Sequence, residues 1–283
     1  MQIIENNIAF CDRYAVIGNP IHHSKSPRIH TMFAAQTGQN IKYSRILGKT
    51  NCFAAQVREF FDNGGKGLNV TLPFKQDAYR LADQCSAIAE IAEAANTLMM
   101  ANGKIFADNT DGLGIVRDFV YNHRINFTKH TILLLGAGGA AYGIIGSLLA
   151  QRPAHLFIAN RTPTKAIALA NKFVSYPVLV KGGGFEDLKN QHFDIIINAT
   201  STELSGEQLT LPQGCLINDG VVYDMLYADA PTAFVRWGVE HGARVAVDGL
   251  GMLVEQAAEA FLLWRGVRPN TSEVIKNLRD CLR

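Results

Sequence analysis

The sequence lacks most of what marks an extracellular, zinc-binding or polyanion-binding protein. Its five cysteines, Cys11, Cys52, Cys85, Cys215 and Cys281, are spread through 283 residues with no C-x-x-C pair. That set has neither the even count of a disulfide framework nor the Cys/His clustering of a zinc site, and it fits reduced thiols in the cytoplasm. Charge of one sign is nearly absent too, because 27 Lys and Arg against 25 Asp and Glu leave a net charge of +2. No broad field attracts nucleic acid or an anionic membrane, so any bound anion must be met locally. Residues 1–10 contain Glu5 and no basic segment leading into an apolar run, so no secretory signal is expected. Internal repeats, low-complexity tracts and charged tails are missing as well.

One long uncharged stretch does occur, at residues 131–150. Twenty such residues suffice to cross a bilayer. Their apolar blocks, 132–135 and 144–149, are however separated by Gly136, Gly138 and Gly139, which suits a buried strand, a tight turn and a helix better than one membrane helix.

What the chain does have is 48% hydrophobic residues, enough for two sizeable cores. The pattern predicts strands at 14–17, 41–47 and 67–70, and a hairpin of 97–100 with 104–107 around Asn102-Gly103. Ser26-Pro27 reads as an N-cap with proline in the first helical position. Phe53, Val57, Phe60 and Phe61 recur at helical spacing until Gly64-Gly65. From about residue 112, strands at 132–135, 155–159, 177–180, 193–198 and 220–223 alternate with helices, as in a doubly wound parallel sheet. Residues 181–184 read as the one conspicuously flexible stretch. A helix over 250–264 is placed to return to the first domain. The expected fold class is α/β, with a Rossmann-like cofactor domain and a second α/β domain.

The run Gly136-Ala137-Gly138-Gly139-Ala140-Ala141 matches G-x-G-x-x-A directly after a strand. Glycines there permit the turn and let backbone N–H groups approach a pyrophosphate at a helix N-terminus. A ligand-free strand-to-helix turn is the plainer reading of that hexapeptide alone. The following strand adds a second signal, because it ends at Asn160-Arg161-Thr162, where an NAD site usually carries an acidic residue. Arg161 offers a fork for a 2′-phosphate, with Thr162 and Lys165 near it. The combination favours NADP(H).

Three further segments carry polar groups out of apolar strands. In His23-Ser24-Lys25-Ser26-Pro27 two hydroxyls two residues apart suit one carboxylate, although capping alone would explain Ser26. No carboxylate or cysteine accompanies His22, His23 and His30, so no metal is expected. Asn69-Val70-Thr71-Leu72-Pro73-Phe74-Lys75 presents Thr71 and Lys75, while Asn96-Thr97 and Asn109-Thr110-Asp111-Gly112 flank the hairpin.

With G-A-G-G-A, N-R-T, N-A-T-S and G-L-G-M-L-V-x-Q-A following in order, the chain resembles the shikimate dehydrogenase family from Tyr14 to Gln256. The resemblance implies reversible NADPH-dependent reduction of 3-dehydroshikimate to shikimate, serving aromatic biosynthesis. It implies that Ser24 and Ser26 hold the substrate carboxylate, and that Thr71, Lys75, Asn96, Asp111, Tyr227 and Gln256 meet the ring and its reacting end. Ala199, Thr200, Ser201, Gly249 and Met252 are assigned to the cofactor. Residues 1–111 with 248–283 form the implied substrate domain, and 112–247 the cofactor domain.

Chemistry gives Lys75 and Asp111 roles of their own. Hydride delivery to a ketone builds negative charge on oxygen, which a placed donor stabilises or protonates. Lys75 is that donor, either as a true acid/base or as an electrostatic clamp; a neighbouring Asp111 would favour its ammonium form and burial would oppose it. Two rivals stay open: a broader quinate/shikimate dehydrogenase, and a cofactor-sensing module without turnover. Monomer and homodimer are equally compatible with the sequence.

Overall fold

A computed structural model describes residues 11–200 and 211–281. The chain opens with β1 (Asp12–Gly18), α1 (Ser26–Thr37), β2 (Ile41–Leu47), α2 (Phe53–Asp62) and β3 (Gly65–Val70). It continues through α3 (Lys75–Leu81), β4 (Gln84–Cys85), α4 (Ala87–Ala92), β5 (Thr97–Ala101) and β6 (Lys104–Asp108). These strands form one sheet in the order β2-β1-β3-β5-β6-β4. The first three are parallel, and the β5–β6 hairpin joins antiparallel to β3. Positive φ at both Asn102 and Gly103 gives the hairpin the turn that its sequence predicts.

Phe53, Val57, Phe60 and Phe61 sit on the buried face of α2 and pack with Ala15, Leu68 and Leu98 of the sheet. Their i, i+4, i+7, i+8 spacing puts them on one side of the helix, as periodicity requires.

A second unit follows α5 (Asp111–Arg117), which runs directly into a turn of π-helix at Asp118–Asn122. It comprises β7 (Thr131–Leu135), α6 (Gly139–Ala150), β8 (His155–Ala159), α7 (Pro163–Asn171), β9 (Leu179–Gly183), β10 (Phe193–Asn198), β11 (Leu216–Asp224), α8 (Ala233–Glu240) and β12 (Val245–Val247). The order β12-β11-β10-β7-β8-β9 is parallel throughout, with the chain reversing direction between β7 and β10. Ligands of doubly wound sheets bind outside the strand ends at such a reversal. Last come α9 (Leu250–Arg265) and α10 (Thr271–Asp280). Ile29 and Phe33 of α1 pack with Val254, Ala257 and Phe261 of α9, so the end of the chain does return to the first sheet's side.

The uncharged stretch 131–150 is a strand, a turn and a twelve-residue helix. Among the described residues no helix is long and apolar enough to cross a membrane.

Two local expectations are corrected. Residues 181–183 belong to edge strand β9, which begins at Leu179 and not at 177. Their glycines answer to packing, because a Cβ on Gly182 would stand 2.3 Å from the Ala166 carbonyl oxygen of α7. Ser26 is the first residue of α1, not its cap; Lys25 holds the N-cap position without a side-chain cap bond. Thr162 holds the N-cap position of α7 ahead of Pro163, and its hydroxyl makes no cap bond.

Candidate active site

The strand ends of the first sheet, the start of α5 and the first turns of α9 enclose a cleft of about 350 Å³. Its wall includes Ser24, Ser26, Thr71, Lys75, Asn96, Asp111, Tyr227, Gly249, Met252 and Gln256. All eight residues assigned to the substrate thus meet in one cavity, although they are scattered over more than 230 residues of sequence.

The serine end is built by the loop after β1. Ser24 Oγ lies 3.2 Å from Ser26 Oγ and accepts the Ser26 backbone N–H at 3.3 Å. Because Ser26 stands inside the helix rather than capping it, its hydroxyl is available to the cleft. Arg45 of β2 fixes the loop from outside, donating to the Ser24 carbonyl from Nη2 at 2.6 Å and Nε at 3.1 Å.

At the opposite end two helix starts face each other. Lys75 is the first residue of α3 and Asp111 the first of α5, and Lys75 Nζ lies 2.5 Å from Asp111 Oδ2. A carboxylate suits a helix N-terminus, whereas a cation there opposes the helix dipole. Asp111 compensates the lysine, and its own backbone N–H is held by Asn109 Oδ1 at 3.1 Å. The lysine and aspartate side chains are 23% and 10% exposed, so the pair is sheltered yet reachable from the cleft.

Asn96 ties this end together. Its Nδ2 donates to Asp111 Oδ1 at 2.8 Å and to Gln256 Oε1 at 3.2 Å, while Oδ1 accepts the Thr110 backbone N–H at 2.9 Å. Gln256 in turn donates from Nε2 to the Leu253 carbonyl at 2.7 Å. Burial raises the Tyr227 phenol above its ordinary pKa, which keeps it neutral and able to donate.

The second group of residues lies at the reversal of the other sheet. Gly136 has φ +104°, and a Cβ there would come within 3.1 Å of the Ala199 carbonyl oxygen, so the turn requires glycine. Ala199 N–H reaches back to the Leu135 carbonyl at 2.9 Å. Beyond the turn, a Cβ on Gly138 or Gly139 would meet nothing within 4 Å. The N-terminus of α6 therefore presents uncapped N–H groups to open space, the feature a pyrophosphate needs.

Ala137 is half-buried and Ala140 exposed, but Ala141 is fully buried in the core between helix and sheet. Ala141 acts by letting α6 pack closely. Past β8, Arg161, Thr162 and Lys165 are exposed, and Asn160 Nδ2 donates to the Thr162 carbonyl at 3.0 Å. Thr200 Oγ1 donates to Asn198 Oδ1 at 2.6 Å. Ser201 lies outside the described residues.

Several contributors escaped sequence reasoning. Asn69 and Met225 both line the cleft. A buried Asn198–Asp224 hydrogen bond of 3.1 Å orders both strand ends there, and Asp224 Oδ1 also accepts the Leu226 N–H just before Tyr227. The available signal was a polar residue at the end of an apolar strand, in Ile195-Ile196-Ile197-Asn198 and again in Val221-Val222-Tyr223-Asp224.

Three family models match the chain. They describe the shikimate dehydrogenase substrate binding domain at residues 16–98, shikimate / quinate 5-dehydrogenase at 120–206, and the shikimate 5′-dehydrogenase C-terminal domain at 249–279. The chain is 53% identical over 269 residues to a shikimate dehydrogenase (NADP(+)) of Nitrosococcus oceani, covering 95% of each. Among solved structures, an Ael1 enzyme from Pseudomonas putida superposes with a TM-score of 0.88 at 46% identity, over 94% of this chain and 98% of that one. A shikimate 5-dehydrogenase of Thermus thermophilus, in complex with NADP(H) and shikimate, gives 0.83 at 29% identity over 95% and 99%.

Proposed function

The chain belongs to the shikimate dehydrogenase family, and from that membership we propose how its cleft carries out the NADP-linked interconversion of 3-dehydroshikimate and shikimate. The observation that carries the reading is the 2.5 Å Lys75–Asp111 contact on the wall of a cavity that also contains the paired serines.

Ser24 and Ser26 receive the substrate carboxylate, their hydroxyls being 3.2 Å apart and both able to donate. Lys25 on the same wall adds positive charge. The ring then extends toward Thr71, Asn96, Tyr227 and Gln256, whose amides and hydroxyls match a ring bearing several hydroxyls. NADPH, when bound, supplies the hydride. Lys75 donates toward the carbonyl oxygen as negative charge grows there, and in the reverse direction Lys75 takes the hydroxyl proton. Asp111 holds the lysine head in place through both directions. Asn96 keeps Asp111 from turning away, since it donates to the carboxylate oxygen that Lys75 leaves free.

The cofactor reading draws on the chain's own groups. The open glycine turn at the start of α6 suits the pyrophosphate, and Arg161 with Thr162 and Lys165 suits the 2′-phosphate. Ala199 and Thr200 lie against Gly136 of that turn, and Gly249 and Met252 line the cleft, which suits all four to the cofactor. We assign residues 1–111 with 248–283 to the substrate lobe and 112–247 to the cofactor lobe. The packing of α9 on α1 supports that division, as does the membership of Ile115 and Val116 in the second sheet's core. A cytoplasmic setting completes the reading, supported by five free thiols.

Initial rates with shikimate and with quinate, each with NADP and with NAD, test this function. Shikimate with NADP is expected to have the highest kcat/KM of the four. Equal values for quinate would make the enzyme a broad dehydrogenase, and NADPH binding without any turnover would make it a sensor.

A further inference from the structure

The cleft has a buried backing whose polar groups are connected in one direction. Tyr43 of β2 is 9% exposed and does not line the cavity. Its ring stacks on His30, with centroids 4.2 Å apart and planes inclined by 5°. Its hydroxyl donates to Asn69 Oδ1 at 2.7 Å, and the Ser26 side chain is its second polar neighbour. We propose that Tyr43 is a positioning residue, which links the serine end of the cleft to the Lys75–Asp111 end by holding the Asn69 amide in the orientation that reaches Asn96. The inference rests on the roles given above to those two ends.

An asparagine amide has an accepting and a donating side, and a neighbour that can only be satisfied one way selects between its two orientations. The Tyr43 hydroxyl can donate or accept, but the Asn96 carbonyl only accepts, so with Oδ1 taking the Tyr43 proton Asn69 points Nδ2 toward Asn96. There it donates to the Asn96 carbonyl and to Thr97 Oγ1, both at 3.2 Å. Thr97 Oγ1 passes its own proton to Asn96 Oδ1 at 2.9 Å. With Oδ1 so occupied, Asn96 has Nδ2 left for Asp111 Oδ1, and Asp111 has its other oxygen for Lys75.

Every bond in this series has a sense, set by the Asn96 carbonyl and the Thr110 N–H, and the phenol closes the series on Asn69 Oδ1. Burial keeps that phenol protonated, since it pushes the Tyr43 pKa well above the ordinary value. The series also explains a cost in the fold. Asn69, Asn96 and Thr97 are buried polar side chains in or beside apolar strands, an arrangement that is stable only when each partner is satisfied.

Tyr43→Phe removes the hydroxyl and keeps the ring on His30. The expected result is a fall in kcat/KM for shikimate of about tenfold, the scale of one lost buried hydrogen bond, with KM for NADP unchanged within about twofold. A purely structural tyrosine would lower thermal stability and leave the kinetics of the folded fraction alone. Asn69→Leu and the double variant complete a cycle: the double should be no slower than Asn69→Leu alone, because Tyr43 acts through that amide. The double also leaves no orphaned acceptor, so it remains informative if Tyr43→Phe alone folds poorly. Wild-type kcat/KM in folded Tyr43→Phe, or losses that multiply in the double variant, overturns the inference. Ser24→Ala is run beside them. A raised KM for shikimate there, with Tyr43→Phe unaffected, overturns the positioning role alone; an unchanged KM in Ser24→Ala overturns the reading of the cleft and this inference with it.

Discussion

Lys75 Nζ and Asp111 Oδ2 stand 2.5 Å apart at the first residues of two helices that begin 36 positions from each other in sequence. The helix that starts with the aspartate favours its charge, and the helix that starts with the lysine opposes its charge. A lysine kept in an unfavourable place by one carboxylate indicates selection for chemistry at that point, since local rules are broken mainly at working sites.

The two residues should therefore behave as one unit. Asp111→Asn is expected to lower kcat by about 10²-fold, the scale of a misplaced acid/base group. Adding Lys75→Met to it should cost no more than about threefold beyond Lys75→Met alone, because residues that act together are not additive. A double variant whose loss equals the product of the single losses contradicts the pairing.

Arg161 should govern the choice of cofactor. Arg161→Ala removes a charge-assisted contact of about 1.5–3 kcal/mol, which corresponds to roughly ten- to 150-fold weaker use of NADP. Thr162 and Lys165 remain, so binding is reduced and not abolished. The ratio of kcat/KM for NADP to that for NAD, at saturating shikimate, is the quantity to measure; a ratio constant within about twofold would point to another basic residue.

His30 should make the fold sensitive to mild acid. It is fully buried among Phe33, Tyr43, Phe261 and Trp264, with the Asn69 side chain as a polar neighbour that offsets little of the cost of burying a charge there. Burial lowers its pKa from 6.5 to about 3. The unfolded chain then binds a proton that the folded chain refuses between those two values. This contribution to stability is fully present above pH 6.5 and is lost as pH falls toward 3, by at most about 1.4 kcal/mol per pH unit. Thermal melts of the wild type and His30→Phe between pH 7 and pH 4.5 should diverge, with the variant losing less. Parallel curves would remove His30 as a source of acid sensitivity.

Much of the site was legible because its residues follow strand ends and turns that leave a local mark. Asn69-Val70-Thr71 leaves an apolar strand, Asn102-Gly103 fixes the hairpin, and Gly136 to Gly139 breaks an otherwise apolar run. Such marks lie within a few residues of the groups they position. The tyrosine behind the cleft left none, because Tyr43 meets Asn69 across 26 residues and sits in a strand that alternates like any other. Arg45 and the Ser24 carbonyl, 21 residues apart, escaped for the same reason.

Local signals also misled where packing took precedence. The glycines at 182–184 suggested flexibility, but Gly182 lets an edge strand and α7 touch backbone to backbone. Ser26 has the right residue type for a cap, yet the helix starts one residue earlier and Lys25 holds the N-cap position. Strands β4 and β12, with two and three residues, are too short to carry a period at all.

The central claim is that Lys75 takes part in the chemical step at the developing oxyanion. It is tested most directly by the steady-state rate of shikimate-dependent NADP reduction in Lys75→Met, with folding checked by circular dichroism. The account predicts a kcat lower by about 10²-fold or more, with a smaller change in KM for shikimate, because a group used mainly in the transition state contributes less to the ground state. A folded variant with near-normal kcat would contradict it.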